Sequence, residues 1–193
     1  MLAKHKQSGV TLIELLIGMA IAGILLMVGV NSYTQWMQNQ QTRVAAESIL
    51  NGMQVARVEA VKRNTTARFV LCGLPASSWE ILAASATAPL PAASAACGSG
   101  STATVGEERV QERSGQEGSR NVSVAVTPNG ATTVTFNGLG RITSNFDGST
   151  PFTQVDVSNP NGNRPLRITV SVAGSLRMCD PSANLKAGDP RKC

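Results

Sequence analysis

Gln7-Ser8-Gly9-Val10-Thr11-Leu12-Ile13-Glu14-Leu15-Leu16-Ile17 is the stretch on which the reading of this chain turns. A short basic leader with Lys4, His5 and Lys6 meets a long apolar run at a glycine. Glu14 is the single charge between residues 10 and 30. About 20 apolar residues cross a bilayer as a helix, so the run is long enough to span. A carboxylate near a bilayer centre costs about 2.5–3.5 kcal/mol or more, which makes an intramembrane acid a functional residue in search of a cation. The cations precede the run, and no Lys or Arg follows until Arg43. Positive residues stay cytoplasmic, so residues 31–193 are expected on the far side of the inner membrane.

Two plainer readings compete. Ala20-Ile21-Ala22 has the form of a signal-peptidase site, but a cut there would place Glu14 inside the apolar core of the signal. The apolar run also continues past that site through Ile24, Leu25, Leu26, Met27 and Val28. The other reading is an ordinary membrane anchor with Glu14 close to the headgroups.

The motif Gly9-Val10-Thr11-Leu12-Ile13-Glu14-Leu15 resembles the processing site of type IV prepilins and type II secretion pseudopilins. The resemblance implies a leader of residues 1–9, cleavage by a prepilin peptidase between Gly9 and Val10, and N-methylation of Val10. Many members have Phe where this chain has Val10; Gly9 meets the stricter requirement. It also implies that Glu14 recruits and registers subunits. The physical basis is that a carboxylate leaving lipid for a helix bundle needs an opposite charge, which the α-amino group of a neighbouring Val10 supplies.

Outward from the motif, residues 31–63 contain no proline, and Ala46, Ile49, Leu50, Met53, Ala60 and Val61 recur close to a one-faced helical stripe. Glu47, Asn51 and Gln54 fall on other faces. The pattern predicts one helix over 10–63, roughly 80 Å at about 1.5 Å per residue. Its membrane and assembly half is 10–30 and its amphipathic half runs through 31–64, where Asn64-Thr65-Thr66 stops it. Beyond this the period changes to that of short strands, expected at 67–72, 79–82, 121–127, 132–136, 152–157, 166–172 and 175–179. Turns are expected at Pro128-Asn129-Gly130, Phe146-Asp147-Gly148, 159–163 and Ala173-Gly174. Residues 83–104, rich in Ala, Ser, Gly and Pro, and the charged 106–120 read as loops within 83–120. The fold class is α+β: a long N-terminal helix packed on a small antiparallel β head domain, residues 65–193.

The chain has 193 residues, long enough for one helix and one compact domain, and its aromatic content is only 4%, so the core must lean on Val, Ile, Leu and Ala. All four cysteines follow the membrane run, in the compartment where disulfides persist. Of three pairings, Cys72–Cys97 and Cys179–Cys193 each close a short local segment and are expected. No metal is expected, since no C-x-x-C spacing appears and His5 lies in the leader. No cofactor motif appears, and with the sole histidine in the leader no Ser/His/Asp or Cys/His set exists on the exported side. The chain does not read as an enzyme.

Two head segments narrow the resemblance. Val134-Thr135-Phe136-Asn137-Gly138-Leu139-Gly140-Arg141 resembles a segment common in the GspH/FimT group of minor pilins and pseudopilins. Val172-Ala173-Gly174-Ser175-Leu176-Arg177-Met178-Cys179-Asp180-Pro181 resembles the terminal hairpin strand of FimT and FimU minor pilins. The resemblance implies a minor type IV pilin that primes a pilus and sits at or near its tip, touching other minor pilins and the major pilin. A minor pseudopilin of a type II secretion system shares the fold and processing. A third reading is a DNA-binding competence pilin of FimT type, whose Gly-Arg-x-Arg motif corresponds here to Gly174-Ser175-Leu176-Arg177, with serine at the first arginine. Arg167, Arg177, Lys186, Arg191 and Lys192 are the cations that would meet phosphates. No aromatic residue is interleaved with them for base stacking, and a solvated basic rim held by the Cys179–Cys193 loop is the plainer alternative.

Overall fold

The computed structural model describes residues 9–84, 107–186 and 188–193. Two units emerge, Met1–Met37 and Gln38–Cys193. A single helix, α1 (Leu12–Arg63), supplies the described helical residues of the first unit and the opening element of the second. The second unit begins inside the helix, at Gln38.

Within the head unit the buried face of α1 is Thr42, Ala45, Ala46, Ile49, Gly52, Met53, Ala56 and Ala60, which follows the 3.6-residue period. Glu47, Asn51 and Gln54 are exposed as expected. Val61 departs from the expected stripe: it is 49% exposed, one position beyond the buried Ala60. The face is built mostly from small residues because large rings from the sheet fill the gap. A Cβ on Gly52 would lie 2.7 Å from Phe69 Cε2 and 3.2 Å from the Trp79 ring. Asn64 ends the helix in the left-handed region at φ 48°. Its N–H donates to Val61 O (3.1 Å) and that of Thr65 to Ala60 O (3.1 Å), the paired bonds of a Schellman cap.

Two antiparallel sheets follow. The first has five strands, β1 (Ala67–Cys72), β2 (Ser78–Ala84), β3 (Glu107–Arg113), β5 (Thr133–Phe136) and β6 (Ile142–Thr143), in the order β3-β2-β1-β5-β6. The second has four, β4 (Ser123–Thr127), β7 (Gln154–Ser158), β8 (Leu166–Val170) and β9 (Leu176–Cys179), in the order β4-β7-β8-β9. Val155, Val157, Ile168 and Val170 of the second sheet join Phe69, Leu71, Trp79, Val134 and Phe136 of the first and the helix stripe in one core. Phe69 bridges the group, with ring centroids 5.5 Å from Trp79 and 6.3 Å from Phe152. Trp79 Nε1 donates to Ser48 Oγ on α1 at 2.8 Å, which satisfies the indole as it is buried.

The expectation of loop throughout 83–120 is corrected at Ala83 and Ala84, which end β2, and at residues 107–113. Glu107–Arg113 is an edge strand paired with β2. Its charges hid it: only Val110 packs on the core, while Arg109 pairs with Glu80 (3.3 Å) and Arg63 with Glu108. Charged residues are what a soluble protein places on an edge to keep it from pairing further. The two-residue β6 is too short to carry a pattern. The strand expected over 152–157 begins at Gln154, with Phe152 a core residue ahead of it. Residues 85–106, with Cys97 and most of the expected 83–104 loop, lie outside the described residues.

Candidate functional site

Gly9 and Val10 lie just ahead of the helix. Thr11 is the N-cap: its Oγ1 accepts from the Glu14 N–H at 3.4 Å, and its carbonyl from the Leu15 N–H at 3.2 Å. Thr11 and Glu14 hold the spacing of a capping box, and an acid in the first turn is favoured by the helix dipole. The processing motif does not single out Thr11; the Thr-x-x-Glu spacing does. From Leu12 to Met27 the side chains are exposed, and α1 contains a stretch long and apolar enough to cross a membrane. After that run Tyr33 and Trp36 are exposed and paired, with ring centroids 5.9 Å apart. Such amphipathic rings are enriched at membrane–water boundaries.

At the other end of the chain, Cys179 and Cys193 form a disulfide with Cα atoms 5.1 Å apart, as expected. Cys72 is not a free thiol, and its expected partner Cys97 lies outside the described residues. Asp180 N donates to Arg191 O at 2.6 Å and Cys193 N to Asp180 O at 3.2 Å, so the closing segment lies alongside the residues after β9. The five cations of this region are mostly committed. Arg167 on β8 forks onto Asp156 of β7 (Nε–Oδ1 2.6 Å, Nη2–Oδ2 3.2 Å), its cross-strand partner. Arg177 donates to Lys192 O (3.0 Å) and Pro190 O (3.4 Å), and Lys192 Nζ to Leu185 O (3.2 Å). Arg191 forks onto Asp189 (3.1 and 2.8 Å), and this hydrogen-bonded pairing holds the Asp189 carboxyl down at about 2. Lys186 alone among them has no side-chain partner among the described residues.

The two head segments singled out in the sequence meet in space. The β5–β6 turn puts Gly140 at φ 72° beside α1, where Arg57 Nε donates to Gly140 O at 3.1 Å. The β8–β9 turn puts Gly174 at φ 81° against the same carbonyl: a Cβ on Gly174 would sit 2.0 Å from Gly140 O. Ile142 N donates to Val172 O at 3.1 Å and completes the join. The glycine of Gly174-Ser175-Leu176-Arg177 is thus explained by packing. It lets a turn of the second sheet close onto the edge of the first.

The profile of the GspH family, described as type II transport protein GspH, matches residues 45–174, more than half of the chain. The chain belongs to the GspH family. That family is one of minor pilins and pseudopilins, structural subunits rather than enzymes. The prokaryotic N-terminal methylation motif matches residues 4–30 of this GspH-family chain. Among solved structures, the type IV minor pilin FimU of Pseudomonas aeruginosa is similar at 16% identity. That likeness covers 74% of this chain and 91% of that one, with a TM-score of 0.48. The minor pseudopilin EpsH from the type 2 secretion system of Vibrio cholerae is similar at 14% identity, over 73% of this chain and 98% of that one, with a TM-score of 0.47. No curated protein matches the sequence.

Proposed function

We propose that the chain is a minor type IV pilin. In this reading a prepilin peptidase cuts between Gly9 and Val10, Val10 is methylated, and the apolar half of α1 holds the subunit in the inner membrane with its head in the periplasm. The subunit then primes a pilus and is incorporated at or near its tip, against other minor pilins and the major pilin. The observation that carries the reading is the methylation motif over residues 4–30 joined to an exposed apolar helix with an acid in its first turn. In a filament Glu14 pairs with the α-amino group of a neighbouring Val10, which removes the penalty of a lone carboxylate among apolar helices. The test is mass spectrometry of sheared filaments, where a chain starting at methylated Val10 is expected. Glu14→Ala is expected to leave membrane insertion intact and to deplete the chain from filaments. Recovery of secreted protein starting at Gly23 refutes the reading.

A second reading, the minor pseudopilin of a type II secretion system, is favoured by the description of the matching family. The disulfide-closed C-terminal segment favours the pilin. The two separate by whether deletion abolishes surface pili or secretion of folded exoproteins. DNA capture draws little support from the C-terminal rim, where four of the five cations already donate to groups of their own chain.

A further inference from the structure

Between Gln38 and Cys193 six large apolar side chains are exposed among the described residues: Val44, Val58, Val61, Leu139, Phe146 and Val172. Four of the six gather round one point, the Gly140–Gly174 junction. A Cβ on Gly140 would lie 3.3 Å from Val61 Cγ2, and Val58 is one turn back on the same helix. Leu139, at the tip of the β5–β6 turn, is 79% exposed; Val172, beside the turn that presses on Gly140, is 70% exposed. Scattered exposed aliphatics need no explanation, but a contiguous group marks a contact surface. Two cations frame it. Arg57 spends one N–H on Gly140 O, and neither its guanidinium nor that of the exposed Arg141 meets a carboxylate among the described residues. Other arginines of the head do meet one: Arg63, Arg109, Arg113, Arg167 and Arg191 all form ion pairs.

We propose that this face, Arg57, Val58, Val61, Leu139, Arg141 and Val172, docks a different subunit of the same filament, one that presents an aliphatic side chain beside a carboxylate. The inference rests on the pilin reading above and names a surface and a partner chemistry that the reading leaves open. Its occupant is argued from charge. Apolar atoms fix the contact area, and a carboxylate is the group that two unmatched guanidinium forks recognise. Symmetric docking of a second copy would set Arg57 and Arg141 against themselves, and like charges across an interface are strongly unfavourable.

The test places a benzophenone photo-crosslinking side chain at position 139 or 172 of the full-length chain in its own host, with position 186 as a control. Sheared filaments are irradiated and the adducts sequenced by mass spectrometry. The expected product joins position 139 or 172 to an Asp- or Glu-containing peptide of another pilin. Arg141→Glu is expected to cut that adduct about tenfold or more, and Arg141→Lys to keep most of it, because reversing one charge of a close pair costs well over a factor of ten in affinity. Circular dichroism of both variants shows that the head remains folded. An adduct to lipid, an adduct to a second copy of this chain, equal yield from position 186, or no adduct in filaments that contain the chain overturns the proposal. If the chain is missing from filaments altogether, the pilin reading fails and the proposal falls with it.

Discussion

Gly174→Ala tests the junction that joins the two sheets. The new Cβ would sit 2.0 Å from Gly140 O, a backbone atom with no rotamer to turn away, and an ordinary contact begins at 3.4 Å. One backbone or the other must retreat by more than 1 Å, roughly the gap between those two distances. Such a retreat stretches the bond from Arg57 Nε to Gly140 O and that from Ile142 N to Val172 O, both 3.1 Å. Two hydrogen bonds at about 1 kcal/mol each, with about 1–2 kcal/mol for an L-residue held at positive φ, give a loss of about 3–4 kcal/mol. That is a large share of the roughly 5–15 kcal/mol that holds a domain folded. The assay is urea unfolding of a fragment starting at Gln38, followed by the fluorescence of Trp79, its single tryptophan. Gly148→Ala separates strain from clash, since Gly148 has a similar φ of 74° and nothing within 4 Å of its would-be Cβ. It is expected to lose only about 1–2 kcal/mol. A Gly174→Ala loss no greater than that of Gly148→Ala would refute the reasoning.

Three further outcomes follow from the head. Gly52→Ala gains about 1 kcal/mol of helix propensity but drives a methyl to 2.7 Å from the Phe69 ring; since overpacking costs about 1–3 kcal/mol, net destabilisation of up to about 2 kcal/mol is expected in the same unfolding assay. Burial raises the pKa of Glu80 above the ordinary carboxylate value, against the opposing pull of Arg109 and Arg68. Its contribution to stability is therefore complete below the unfolded pKa near 4.5 and declines as pH rises through the higher folded value. Glu80→Gln is expected to flatten that part of the curve between pH 4.5 and neutrality, and an unchanged pH slope would count against the assignment. Asp189 has the opposite sign: the Arg191 fork lowers it from 3.8 to about 2, so its contribution is present above the ordinary value and lost as pH falls toward 2. Arg191→Gln is expected to return the Asp189 midpoint toward 3.8, as read from carboxyl carbon shifts by NMR.

Elements whose residues carry their own signal are legible in the sequence. Asn64 tolerates positive φ and stops the helix where the apolar stripe ends. Ala67–Cys72 is an uninterrupted run of buried residues at the centre of a sheet, and its predicted bounds match the observed strand. β3 is illegible for a physical reason: as a charged edge strand its partners, Glu80 and Arg63, lie on other elements. The helix stripe is legible at Ala46, Ile49, Met53 and Ala60, which are buried, and at Leu50, which packs on the core; Val61 is the exception, and the smaller members of the face carry no apolar signal. Thr42, Ala45, Gly52 and Ala56 complete the buried face, and at Gly52 the smallness is set by Phe69 and Trp79, which no local pattern announces. A glycine inside a helix costs about 1 kcal/mol against alanine, so Gly52 is itself the clue that something large lies opposite.

The candidate site divides along the same line. Glu14 is conspicuous because it violates the composition around it, whereas Thr11 is hidden because a threonine among apolar residues violates nothing. Their hydrogen bond makes the two one device. With the first turn capped by Thr11, the helix already satisfies one of its orphan N–H groups and needs no anion for that purpose. The Glu14 side chain is left for another partner, and in the filament proposed above that partner is the α-amino group of a neighbouring Val10. A basic C-terminal tail gives the reverse case. Its cations are conspicuous in the sequence, yet Arg167 and Arg191 fork onto Asp156 and Asp189 of their own chain, tying together two strands and a loop. Arg57 and Arg141 attract less notice in the sequence, yet both are exposed and neither meets a carboxylate among the described residues, Arg57 giving one N–H to Gly140 O at the junction.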